Sequence, residues 1–390
     1  MLETQTPVFV GAGPIADAGP WCRHGHPDVA HADYVRDPPK YSGHPAGYSA
    51  DPGLVEAVNT ALILAKPLLL TGRPGTGKTE LAERIAWELG LGPVLRFEAQ
   101  SLTEAQELFY RFDLVAQMAD AQLAQRAGAA LREPEHFLTF GALGKAIIYA
   151  CPQGYPDLVE WDRRSDTDLQ AAAHPVVPPG ATTDSAQVTP RRSVVLIDEI
   201  DKAARDVPND LLNGIDRMAF RIRELRNRLV AANDDDRLKP IVVITSNSER
   251  DLPDPFLRRC TYYNIPDPSA DKLAEILRLR VPATRDGEGA AVEGAKPIQA
   301  LAPFYQALLS FFVAHRDDRG THLAYRPGTS ELIDWCSALS RFGADSRADL
   351  QGNADLLRRT LGAVLKHQDD RTVLLKRLKD RGLDLAAGPA

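Results

Sequence analysis

Residues 72 to 79 read Gly72-Arg73-Pro74-Gly75-Thr76-Gly77-Lys78-Thr79 and fit the pattern G-x-x-x-x-G-K-[ST] at every specified position. An apolar run, Pro67 to Leu70, precedes the octapeptide, and an amphipathic stretch, Glu80 to Glu88, follows it. The motif therefore sits between a strand and a helix, which restricts the fold to the α/β class. Its glycines let successive backbone N–H groups curl around an anion, and the dipole of the following helix adds a positive end. Lys78 reaches toward β- and γ-phosphates, and the Thr79 hydroxyl is placed to ligate a magnesium ion bridging them. Gly72 through Glu80 is thus the expected phosphate-binding stretch for a nucleoside triphosphate.

The rest of the chain must supply a sheet, a core and a partner surface. At 390 residues, 44% hydrophobic and 25% charged, it has the composition of a globular protein with room for two domains. No apolar run approaches the roughly eighteen residues of a membrane span, and the first residues lack a secretion signal, so the expected compartment is the cytoplasm. Cys22, Cys151, Cys260 and Cys336 are far apart and form no paired spacing, which fits reducing surroundings. The net charge of −7 argues against a chain built to coat nucleic acid and favours protein partners.

Residues 1 to 46, rich in Gly, Pro, His and Asp, read as an extended arm, and the spacing of Cys22, His24, His26 and His31 matches no recognised metal site. A helix over 52 to 64 is expected before the first strand, and a second strand at 93 to 97 after the phosphate loop. Residues 103 to 131 are helical in pattern, and 152 to 190 read as an exposed insertion rich in Pro, Asp, Thr and Ala. Two apolar runs, Val194 to Ile197 and Ile241 to Ile244, read as buried parallel strands, with a fifth strand at 261 to 265. Helical patterns at 269 to 281, 298 to 314, 329 to 342 and 354 to 379 then form a smaller helical domain, interrupted by a low-complexity linker at 284 to 296.

The run at 194 to 197 ends in Asp198-Glu199. Carboxylates at the C-terminal edge of an α/β sheet lie where ligands of such sheets bind. Asp198 is suited to hold the magnesium, and Glu199 to polarise a water for attack on a γ-phosphate.

With Gly72 to Thr79, Val194 to Glu199, Asn247 after an apolar strand, and Leu252-Pro253-Asp254 leading to Arg258-Arg259, the chain resembles the AAA+ ATPases. More narrowly, the lead-in from Tyr48-Ser49-Ala50-Asp51, the run Asp210-Leu211-Leu212-Asn213 and the Leu-Pro-Asp segment are similar to the MoxR family over roughly residues 47 to 345. The resemblance implies an α/β domain at 47 to 267, with a parallel sheet flanked by helices and a long insertion at about 101 to 190. A smaller all-helical lid follows at 268 to 390. It implies ATP and Mg2+ as cofactors, Asn247 as the sensor of the γ-phosphate, and an arginine finger at Arg258-Arg259. Arg259 falls on the family's position, so hydrolysis is expected to depend on assembly into a ring, most often hexameric.

The lid segment Tyr325-Arg326-Pro327-Gly328-Thr329-Ser330-Glu331 offers Arg326 as a second sensor or as a loop arginine packed on Tyr325. Five arginines between 217 and 228 form either a solvated helix face or, as the resemblance implies, a channel-facing loop or hairpin gripping an acidic partner or a nucleic-acid strand. The function implied is an ATP-hydrolysing ring that remodels or activates a protein partner. A nucleotide-gated switch with slow turnover is the alternative, and a nucleic-acid motor is disfavoured by the acidic composition.

Overall fold

The computed structural model of the protein describes residues 44–159, 161, 162, 190–285, 297–317 and 325–380. The expected arm with Cys22, His24, His26 and His31, most of the 152 to 190 insertion and most of the 284 to 296 linker lie outside the described residues. Among those described, Ala50–Thr71 and Leu81–Asn264 form one compact unit. Residues 44–49, Gly72–Glu80 and the described residues from Ile265 onward form another.

The first unit begins with helix α1 (Pro52–Leu64), whose Leu54, Val58, Ala61 and Leu62 are buried on one face. Strand β1 (Leu68–Thr71) leads to the phosphate loop, and helix α2 (Lys78–Glu88) carries the chain back into the unit. After β2 (Leu95–Glu98), a small antiparallel pair is formed by β3 (Tyr110–Phe112) and β4 (Leu138–Phe140), with helix α3 (Leu114–Ala127) between them. Helix α4 (Ala142–Ala150) packs flush on the segment before β3, where a Cβ at Gly144 would lie 1.9 Å from the Phe109 carbonyl oxygen. Then come β5 (Val194–Asp198), helix α5 (Val207–Arg217), the hairpin β6 (Ala219–Ile222) and β7 (Arg228–Ala231), β8 (Ile241–Thr245), the short helix α6 (Asp254–Leu257) and β9 (Thr261–Asn264).

Strands β2, β5, β8, β1 and β9 form a parallel sheet in that order. The three central strands are almost wholly buried, as continuous runs of Leu, Val and Ile require when both faces are covered. Edge strands β2 and β9 alternate between half-buried and exposed positions. Each buried aliphatic side chain contributes roughly 1.5–3 kcal/mol relative to exposure. The C-terminal ends of β1, β8 and β5 share one edge: Leu70 pairs in register with Thr245, and Ile197 with Ile244.

One expectation for this unit is corrected. Residues 103 to 131 are not one helix, because Leu108, Phe109 and Tyr110 enter the core as a turn and strand, leaving only 114 to 127 helical. In α3 the inward positions are mostly small, Ala124 alone is fully buried, and Val115, Met118 and Leu123 point outward, so its apolar content does not mark a core face. Of the two readings of the arginine-rich segment after α5, the hairpin is the one formed; Phe220, Ile222 and Val230 anchor it in the core.

The second unit holds helices α7 (Ala270–Arg280), α8 (Pro303–Arg316), α9 (Thr329–Arg341), α10 (Ala354–Thr360) and α11 (Gln368–Asp380). Its core gathers Leu277, Phe304, Phe312, Leu332, Trp335 and Leu361. The helix expected at 354 to 379 is broken into α10 and α11, with a tighter turn at Leu361–Ala363 between them. Thr360 ends α10 as a buried partner of Trp335, whose indole N–H donates to the Thr360 hydroxyl at 2.9 Å.

Candidate nucleotide site

The phosphate loop is shaped by three glycines with positive φ, Gly72 at 144°, Gly75 at 76° and Gly77 at 85°. Side chains are also excluded by contact. A Cβ at Gly75 would lie 2.4 Å from the Ser330 hydroxyl oxygen, and one at Gly77 would lie 3.1 Å from the Tyr48 ring. Lys78 is buried, and its ammonium donates to the Gly72 and Arg73 carbonyls at 2.7 and 2.9 Å. The Thr76 hydroxyl donates to Arg73 O at 2.8 Å, closing the turn, and Thr79 follows Lys78 in the first turn of α2.

Ion pairs fix the flanks of the loop: Arg73 with Asp267 at 3.1 Å, and Glu80 with the buried Arg280 at 2.6 Å. Arg280 also donates to Gly47 O at 3.0 Å, which ties residues 44–49 to the loop. Pro74 lies against Gly328, where a Cβ would come within 3.1 Å of the Pro74 carbonyl oxygen. The start of α9 therefore rests on the loop. Its first turn is organised by Glu331, which accepts from the Gly328 N–H at 3.0 Å, the Ser330 hydroxyl at 3.1 Å and the Tyr325 hydroxyl. Burial raises the Glu331 pKa, but these hydrogen bonds outweigh it and hold the carboxyl below its ordinary range. The same contact, with burial second, pushes Tyr325 up to about 12.

In the first unit, Asp198 and Glu199 end β5 beside the end of β8. The buried Thr245 hydroxyl donates to Asp198 and accepts the Glu199 N–H at 2.9 Å. Glu199 adopts a left-handed conformation with φ of 55°, turning its carboxylate out of the strand direction. One carboxylate oxygen accepts from Asn247 Nδ2 at 3.1 Å and the other from the Lys202 ammonium. That hydrogen bond from Lys202 raises the lysine above its ordinary pKa. Asp201, 3% exposed, accepts the backbone N–H of Asn247 at 3.1 and 3.2 Å and that of Glu249 at 2.9 Å.

Asp198, Glu199 and Asn247 are thus brought together, whereas the arginines are held apart from them in bonding. Arg259 forms an ion pair with Asp216 at 2.5 Å and donates to Pro255 O at 3.3 Å. Arg258 is exposed and its side chain makes no ion pair among the described residues. Arg326 is likewise exposed, just before α9. In the hairpin, Arg221 donates to Asn227 O at 3.0 Å and Arg228 pairs with Asp157, so both are engaged internally.

Thr245, Asp201 and Lys202 were not marked by the sequence reading. The signal available was the run Asp198-Glu199-Ile200-Asp201-Lys202, in which nothing local distinguishes a buried acid from a solvated one. Burial raises Cys260 to about 12 and raises Cys336 further, so neither is a thiolate nucleophile at neutral pH.

Each unit by itself fits part of a magnesium nucleotide: an ammonium, a glycine cradle and the Thr79 hydroxyl in the one, and the Asp198 carboxylate, a hard oxygen donor, in the other. A parallel sheet in the order 2-5-8-1-9, with a phosphate loop after β1 and acids closing β5, is the α/β arrangement of the AAA+ fold. Residues 67–260, just under half of the 390, match the AAA domain of the dynein-related subfamily. Comparison with curated proteins gave no match. The solved structure of C. elegans PCH-2 aligns over 86% of this chain and 72% of that one, at 16% identity and a TM-score of 0.38; at that score the likeness carries no functional weight.

Proposed function

We propose that the protein is a MoxR-like AAA+ ATPase that binds and hydrolyses Mg-ATP, assembles into a ring, most often hexameric in such proteins, and uses the cycle to remodel or activate a protein partner. In this reading residues 47 to 267 are the nucleotide domain and 268 to 390 a separate helical domain. The observation that carries it is the contact between Asn247 Nδ2 and Glu199 Oε1 at 3.1 Å. That contact places an amide able to orient a water beside a carboxylate able to take its proton, at the sheet edge where α/β folds bind ligands.

The loop Gly72 to Thr79 binds the phosphates, with Arg73, Pro74, Thr76 and Glu80 shaping it, and Lys78 exchanges its two carbonyl partners for phosphate oxygens. Thr79 and Asp198 would hold Mg2+, which supplies charge neutralisation on the phosphates. Glu199 accepts the proton of the attacking water. Arg259, with Arg258 beside it, is the cation offered to a neighbouring subunit, and Arg326 the cation offered from the helical region. A protein partner is favoured over nucleic acid because two hairpin arginines are already engaged and the chain is acidic.

A second reading, the nucleotide-gated switch with slow turnover, is favoured by one feature: both oxygens of Glu199 are occupied by donors of its own chain. Phosphate release measured against protein concentration separates the two. Lys78→Ala should abolish ATP binding, and Glu199→Gln should keep binding while hydrolysis falls about 10²- to 10⁴-fold. Normal turnover by Glu199→Gln would remove Glu199 as the base, and ATP-dependent assembly with almost no turnover would favour the switch.

A further inference from the structure

We infer that Asp201 is the positioning residue of the hydrolytic site: its buried carboxylate sets the backbone of Asn247, and through it the hold of Asn247 on Glu199. The inference rests on the reading above, in which Glu199 and Asn247 handle the attacking water.

Asp201 lies in a single tight turn, Ile200–Lys202, two residues beyond Glu199. It is 3% exposed. A carboxylate so far from solvent is unfavourable unless its oxygens are hydrogen-bonded. The partners come from the loop after β8: Asn247 N–H at 3.2 Å to Oδ1 and 3.1 Å to Oδ2, and Glu249 N–H at 2.9 Å to Oδ2. Between them Ser248 has a φ of 60°, the left-handed conformation that turns two nearby N–H groups toward one anion. The loop therefore wraps the Asp201 carboxylate, and its shape is strained without that acceptor.

The consequence reaches the chemistry through one residue. Asn247 gives its backbone N–H to Asp201 and its side-chain Nδ2 to Glu199 Oε1. Base and sensor thus share a frame whose far corner is Asp201. A second clasp, Thr245 to Asp198 and Glu199, fixes the strand ends but not the Asn247 amide. Nothing in the proposed role of Asp201 touches nucleotide, so its loss should misplace Asn247 while leaving phosphate binding to the loop at Gly72 to Thr79.

The test uses the full chain with Asp201→Ala, Asp201→Asn, Asn247→Ala and the Asp201→Ala/Asn247→Ala pair. Misplacement by about 1 Å costs on the order of 10²-fold, so Asp201→Ala should lose about 10- to 100-fold in kcat while its affinity for ATP stays within about threefold. Asp201→Asn keeps the volume and one acceptor oxygen, should recover part of the loss, and serves if the alanine variant does not fold. The double variant should be no slower than Asn247→Ala alone, because Asp201 acts through Asn247. Amide hydrogen exchange across 246–250 should accelerate in both Asp201 variants. Unchanged exchange there, or losses that multiply in the double variant, overturns the inference. If Asn247→Ala hydrolyses ATP normally, the functional reading fails, and the exchange result alone decides whether Asp201 holds the loop.

Discussion

The phosphate loop and the acidic edge of the sheet are held by different means. The loop keeps its shape by contiguous backbone geometry, three glycines with positive φ, and a lysine curled onto carbonyls five and six residues before it. The acidic edge is held by bonds between residues almost fifty positions apart: Thr245 to Asp198 and Glu199, Asn247 to Glu199, and Asp201 to Asn247 and Glu249. Eight consecutive residues therefore announce the first, whereas the second exists only once β5 and β8 are in register. The arginines form a third condition: Arg258 is exposed, and Arg259 holds an ion pair in which its side chain is 41% exposed.

The comparison breaks most visibly at the arginines. Groups bonded into the edge should act on nucleotide of their own chain, and exposed cations should act across an assembly. An exposed ion pair contributes only about 0–1 kcal/mol, so Asp216 does not prevent Arg259 from reaching a neighbour's γ-phosphate. Arg259→Ala should then reduce turnover by about 10³- to 10⁵-fold and poison mixed assemblies with wild type. Titrating the variant into wild-type protein and following phosphate release checks this. A linear fall in activity, as from simple dilution, would show that the arginine acts within its own chain. Poisoning by Arg258→Ala with Arg259→Ala neutral would move the role to the neighbouring residue and leave Arg259 as the partner of Asp216.

A smaller effect sharpens the account of the edge itself. Lys202 occupies one Glu199 oxygen, and the lysine side chain is itself 42% exposed. Releasing that oxygen leaves it free to accept a proton from water. Lys202→Ala should therefore raise kcat about two- to fivefold with KM for ATP unchanged, the scale of a partly exposed pair. A fall in kcat would mean that Lys202 orients Glu199 rather than restrains it.

The three central sheet strands were legible because buried parallel strands are runs of aliphatic residues, and all five strands lie within a residue or two of where the sequence places them. Helix α1 was legible for a different reason: Pro52 starts it at the first turn, and Leu54, Val58, Ala61 and Leu62 repeat on one face. The stretch at 103 to 131 misled because alanine and glutamine repeat at helical spacing whether or not the helix faces a core. The 219 to 231 hairpin was left open beside a helix face because its arginines, Arg221 and Arg223 at alternate positions, mark charge more plainly than strand alternation. Asp198 and Glu199 were visible as acids closing an apolar run. Asp201 was not, because its role depends on burial and on two N–H groups donated from the end of another strand.

The last expected effect is on stability rather than turnover, and concerns the turn that rests on the phosphate loop. Glu331 caps α9 by accepting the Gly328 N–H and the hydroxyls of Ser330 and Tyr325. Hydrogen bonds to a charged acceptor at a helix start are each worth about 1 kcal/mol or somewhat more, so Glu331→Gln should lower stability by about 1–2 kcal/mol. The sign with pH follows from the direction of the shift. The folded pKa lies below the ordinary 4.5, so the ionised cap contributes its stability above that value and loses it as pH falls through the lowered folded pKa. Denaturant midpoints of wild type and Glu331→Gln should differ at pH 7 and converge as the pH falls below the lowered folded pKa of Glu331. A constant difference across that range would mean that Glu331 holds the turn by packing, and that the flank of the phosphate loop is fixed without its charge.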